Sequence, residues 1–130
     1  MEHQDTLRRL TVDWTRAQPS VGRFIRSFVR DRGEAEDILQ QVALVIVDRY
    51  ETYDPDRFFL GWALGVARRV VWTHLREKYR EREVLITSAI EQVAEAFERL
   101  DPRAEQMKDA VRFKGKPLWC RPPLAAYPYW

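Results

Sequence analysis

Arginines interleaved with aromatic rings are concentrated between Phe58 and Arg80, and no other part of the chain is as well suited to act on another molecule. At 100° per residue, Arg68, Arg69, Trp72, Arg76 and Tyr79 share one arc of a predicted helix. Opposite them, Phe59, Trp62, Ala63, Val66, Ala67 and Val70 form the apolar sector that a helix buries. Guanidinium groups neutralise phosphates and fork onto base edges, while Trp and Tyr rings are platforms for unpaired bases, each stack worth roughly 1–3 kcal/mol by truncation. Gly61 and Gly65 project onto the same outer arc. Each costs roughly 1 kcal/mol there relative to Ala, which a close approach to the backbone would explain. The chemistry expected of this arc is therefore nucleic-acid binding. The plainer alternative is a solvated basic face whose Trp packs against another helix.

Other chemistry is not expected. The two histidines, His3 and His74, are far apart in sequence, and His74 lies beside the buried sector of its helix, where a structural partner is the expectation. The chain carries no P-loop, dinucleotide-binding fingerprint, zinc-protease helix or nucleophile elbow. No enzyme, cofactor or metal is expected. Cys120 is the single cysteine, which excludes an internal disulfide and fits a reducing compartment; the cytoplasm is the expected location. The N-terminal residues form no secretory signal, and no run of eighteen apolar residues exists to span a membrane. A net charge of +2 with 32% charged residues does not mark a nucleic-acid binder as a whole, so the role rests on the local cluster from Arg68 to Arg82.

With 130 residues and 45% hydrophobic content, the chain is long enough for one domain and a tail. A short helical pattern in Leu7, Leu10, Val12 and Trp14 should end or kink near Pro19, which lacks an amide donor. Val21, Phe24, Ile25, Phe28 and Val29 then repeat with helical period. Asp31, Arg32 and Gly33 predict a turn, and Glu34, Glu36 and Asp37 put negative charge in the first turn of the next helix, where its dipole favours it. That helix is predicted to run to about Tyr53. It buries Ile38, Leu39, Val42, Val45, Ile46 and Tyr50, and its opposite arc holds Asp37, Gln40, Gln41, Leu44, Asp48 and Glu51, with Val47 on the flank. Leu44 among polar neighbours is either an ordinary exposed leucine or a docking point for a partner. A weaker helical pattern covers Val84 to Leu100, with Glu91, Glu95 and Glu98 expected on a solvated face. Beyond about Lys108, proline and aromatic residues show neither helical nor strand period. The expectation is all-α: a compact three- to four-helix bundle over residues 1–83, a helical linker over 84–107 and an irregular tail over 108–130.

The order of these elements, with Ala35-Glu36-Asp37-Ile38-Leu39-Gln40-Gln41-Val42, then Tyr53-Asp54-Pro55, then Phe59-Leu60-Gly61-Trp62-Ala63-Leu64-Gly65-Val66-Ala67-Arg68, resembles the second conserved region of bacterial extracytoplasmic-function sigma factors. The likeness runs from about Val12 to Arg82. It implies a promoter-specificity subunit whose second helix docks on the β′ clamp helices of core RNA polymerase through Asp37, Gln40, Gln41, Leu44, Val47 and Asp48. It further implies contact with the single-stranded minus-ten promoter region through Tyr53, Arg57, Arg68, Arg69, Trp72, Thr73 and Arg76, and it admits an anti-sigma factor as a regulator. Gln41 stands where the family usually has Glu, and Arg69 where it often has Asn. A complete member carries a second helical domain for the minus-thirty-five element. No such pattern is found here, so a fragment or truncated member is the expectation. The alternative is a helical module that binds polymerase or a regulator without directing initiation.

Overall fold

In the computed structural model, residues 2–107, 112–113 and 116–117 are described, with side-chain environments from residue 2 to 104. Four helices follow in order: α1 (Glu2–Arg26), α2 (Arg32–Arg49), α3 (Phe59–Lys78) and α4 (Glu83–Leu100). Single 3₁₀ turns lie at Tyr50–Thr52 and Arg80–Arg82, and a longer one at Pro102–Met107. The described residues are all-α apart from a two-residue antiparallel pairing, Arg112 with Pro117 and Phe113 with Lys116. This pairing lies within the segment 108–130, for which neither helix nor strand was expected, and corrects that expectation at those four residues; the rest of the segment lies outside the described residues.

α1 corrects one expectation. It is a single helix that passes through Pro19, where a break was expected. Proline forfeits one backbone bond and crowds the preceding turn. Ala17, Ser20, Val21, Phe24 and Ile25 are buried directly around it, and their packing holds the helix together on both sides. α2 starts where a turn was expected: Asp31 is its N-cap and accepts the Glu34 amide at 2.9 Å, so Arg32 and Gly33 belong to the helix. It ends at Arg49 rather than near Tyr53, tightening into the 3₁₀ turn that closes on Tyr53.

α3 is the axis of the bundle. α1, α2, α4 and the Pro102–Met107 turn all pack on it, and it is buried nearly all round, from Gly61 without interruption to Thr73. The sector of Phe59, Trp62, Ala63, Val66, Ala67 and Val70 is buried as expected. Gly61 and Gly65, expected on an outer face, are buried as well. α4 contributes Ile86, Ile90 and Ala94 to the same core, and its Phe97 ring meets Phe24 edge-on at 5.6 Å.

Candidate nucleic-acid and partner interface

Three groups of residues were singled out from the sequence, and they lie in different environments. The first is the outer arc of α2. Ile38, Val42, Val45 and Ile46 turn into the core, which leaves Leu44 at 66% exposure and Val47 at 56%, flanked by exposed Asp37, Gln40 and Asp48 and half-buried Gln41. Two large apolar side chains are thus left in water on one helix face, within a polar ring.

The second is the turn between α2 and α3. Tyr53 stacks on Tyr50 at 5.8 Å, meets Phe59 edge-on at 5.4 Å and tilts against Trp62 at 5.3 Å, so an aromatic cluster fixes the turn to the start of α3. The Tyr53 hydroxyl donates to the Arg57 carbonyl, and Asp54 accepts the Asp56 amide at 2.9 Å, which closes the Asp54–Arg57 turn locally. Arg57 itself is exposed, 3.9 Å from Asp54. Tyr50 donates its hydroxyl to Asp13 of α1 at 2.9 Å; burial, then this bond to a carboxylate, pushes its phenol up to about 12. Burial likewise raises Tyr53. Beside the turn opens a cleft of about 510 Å³ lined by Thr6, Arg8, Arg9, Val12, Asp13, Tyr50, Tyr53 and Pro55. Arg8 and Arg9 were not singled out from the sequence. Their adjacency in an exposed helical stretch was the available signal, but the expected break at Pro19 hid which end of α1 faces this turn.

The third group is on α3, and here the expected exposure is overturned. Arg68 is 2% exposed, Arg69 0%, Trp72 3% and Thr73 2%; Arg76 is half-buried and Tyr79 is exposed. A helical projection gives angles but contains no neighbours, and α4 with the Pro102–Met107 turn packs on α3. The side chains still form one constellation. The Trp72 ring has the Arg69 guanidinium 5.3 Å from its centroid and the Arg76 guanidinium at 5.1 Å. Its indole N–H donates to Thr87 of α4 at 3.1 Å, while Arg68 approaches Glu91 at 4.0 Å and Arg76 approaches Glu83 at 3.7 Å. Glu91 and Glu95 are exposed, as expected, with Glu91 at the edge that faces α3, whereas Glu98 is half-buried.

In the same last turns of α3, on the side toward α2, His74 Nε2 lies 2.5 Å from Glu34 Oε1, and Lys78 Nζ is 3.1 Å from the same oxygen. His74 therefore joins α3 to the start of α2. Among the described residues no group of three or more His, Cys, Asp or Glu is placed to hold a metal, and no helix is long and apolar enough to cross a membrane.

The site and fold together define an all-α domain built on a central arginine- and tryptophan-bearing helix, with an exposed leucine on the helix before it. Residues 14–81 match the Sigma-70 region 2 family, and the chain belongs to it. No curated protein and no solved structure matches the chain. Family membership implies core RNA polymerase and promoter DNA as partners, in a family of transcription factors rather than enzymes.

Proposed function

We propose that this chain acts as a region 2 domain of the extracytoplasmic-function type, in the bacterial cytoplasm, joining core RNA polymerase to the minus-ten promoter element. The observation that carries the reading is the pair Leu44 and Val47, exposed on α2 inside the ring of Asp37, Gln40, Gln41 and Asp48. A helix that spends two apolar side chains on water has something to gain from a partner, and the β′ clamp helices are the partner the family implies. Promoter contact is assigned to Tyr53 and Arg57 at the turn and to Arg68, Arg69, Trp72, Thr73 and Arg76 on α3, where guanidinium groups and an indole are the chemistry that holds a single strand. An anti-sigma factor would compete for either surface.

Transcription from a minus-ten promoter with purified core enzyme tests this reading. The full chain is expected to support initiation, and Leu44→Asp is expected to weaken binding to a β′ clamp-helix fragment by at least about 1–2 kcal/mol while leaving helicity unchanged. Unchanged clamp affinity would remove this face from the account.

A second reading, a module that docks on polymerase or a regulator without directing initiation, is favoured by one observation: α4 covers the Arg68 and Trp72 side of α3. Clamp binding without promoter-dependent transcripts would establish it.

A further inference from the structure

The three contacts between α3 and α4 have a regular arithmetic. Arg68 meets Glu91, Trp72 meets Thr87, and Arg76 meets Glu83, so each step of four residues up α3 is matched by a step of four down α4. Steps of four keep a side chain on one face of a helix, and an antiparallel pair joined by the short turn at Arg80–Arg82 brings two such faces together. Glu83 and Glu91 are eight residues apart, about 12 Å along the helix, as are Arg68 and Arg76. The carboxylates therefore stand at the spacing of the guanidinium groups, and a hydroxyl between them occupies the indole N–H.

We propose that α4 is an internal stand-in for nucleic acid: its Glu83, Thr87 and Glu91 occupy the α3 face that would hold a single strand, and α4 must lift before that strand can bind. The inference rests on the promoter-binding reading of α3 given above. The chemistry of exchange is direct. Phosphate oxygens replace two carboxylates against Arg68 and Arg76, and a base replaces Thr87 beside Trp72. The ion pairs are long, and Glu83 and Glu91 are about half exposed, so they hold α4 only weakly. Ile86, Ile90 and Ala94, buried against the core, keep the helix seated when no strand is present. Binding competence is then the fraction of molecules with α4 lifted, and apparent affinity falls by that fraction.

Fluorescence anisotropy of the full chain with a labelled single-stranded minus-ten oligonucleotide tests the proposal, alongside backbone hydrogen exchange. Glu83→Gln with Glu91→Gln should tighten binding about three- to tenfold. Thr87→Val, which removes only the acceptor of the indole, should shift binding in the same direction. Because removing negative charge also reduces simple repulsion, the decisive measurement is exchange in the unaltered chain, where residues 86–100 should lose protection when the oligonucleotide is bound. Unchanged or increased protection of α4 in the bound state, or binding unaffected by the substitutions, overturns the proposal and leaves the promoter reading standing. Should neither chain nor variants bind the oligonucleotide at low salt, the promoter reading of α3 fails, and this inference with it.

Discussion

Glu34 is the residue that ties the start of α2 to the end of α3. Its carboxylate receives His74 at 2.5 Å and Lys78 at 3.1 and 3.3 Å, and the hydrogen bonds from these two side chains, His74 first, hold its pKa below the ordinary 4.5. A carboxylate with a depressed folded-state pKa stabilises the fold fully above its unfolded value, and that contribution is lost as pH falls through the lowered one. Glu34→Gln should therefore cost about 1 kcal/mol at neutral pH, a value kept small because Lys78 is exposed and screened. The difference in thermal stability between the two proteins should shrink below pH 4.5 as the unaltered chain protonates Glu34 and loses the charge that the variant already lacks. A gap that stays constant down to strong acid would show that the charge of Glu34 does not matter to the fold. In the sequence, Glu34 is legible only as a helix-start charge. Its partners are 40 and 44 residues away, and no local periodicity reports on that distance.

At the scale of elements, helical period identified α2 and α3 well, because their apolar rows really do face a core, and it identified the exposed position of Leu44 for the same reason. It failed where a neighbour decides the outcome. Trp72 and Arg69 sit opposite the main apolar row of α3, yet α4 packs on α3 and neither is left in water. The stripe of Glu83, Thr87 and Glu91 at four-residue spacing was readable, but nothing in a single helix says which surface such a stripe will meet. Pro19 is the other case. Local propensity argues for a break, and the buried residues around it override that preference. The proline itself is exposed, so nothing in the core depends on its ring. Pro19→Ala should restore an amide donor and raise stability by about 1–2 kcal/mol, somewhat less than the full propensity difference because proline also restricts the unfolded chain. Thermal unfolding checks this. A fall in melting temperature would mean that the proline sets a direction of α1 that the packing needs.

For the molecule as a whole, the question is which segments the fold requires. Residues 14–81 carry the family match, but α4 lies beyond them and places Ile86, Ile90 and Ala94 in the common core. Fully burying one isoleucine is worth about 1.5–3 kcal/mol, so losing two of them removes roughly 3–6 kcal/mol. Domains of this size have about 5–15 kcal/mol in total. A chain ending at Arg82 would also uncover Trp72, whose indole meets Thr87 of α4, leaving it marginal. A chain ending at Asp101 keeps all of α4, with its three buried apolar residues, and loses the 3₁₀ turn with buried Ala104. The two truncations should consequently separate. The longer one should melt cooperatively at a modestly lower temperature than the full chain and retain clamp binding, while the shorter should unfold broadly and bind a hydrophobic dye. α4 then has two tasks with different energetic footing: its apolar row supports the bundle, and its polar stripe occupies the α3 face through weak contacts that a ligand could replace. If the chain ending at Arg82 instead melts as sharply as the full protein, three helices close the core without α4, and the polar stripe alone would account for its place on α3.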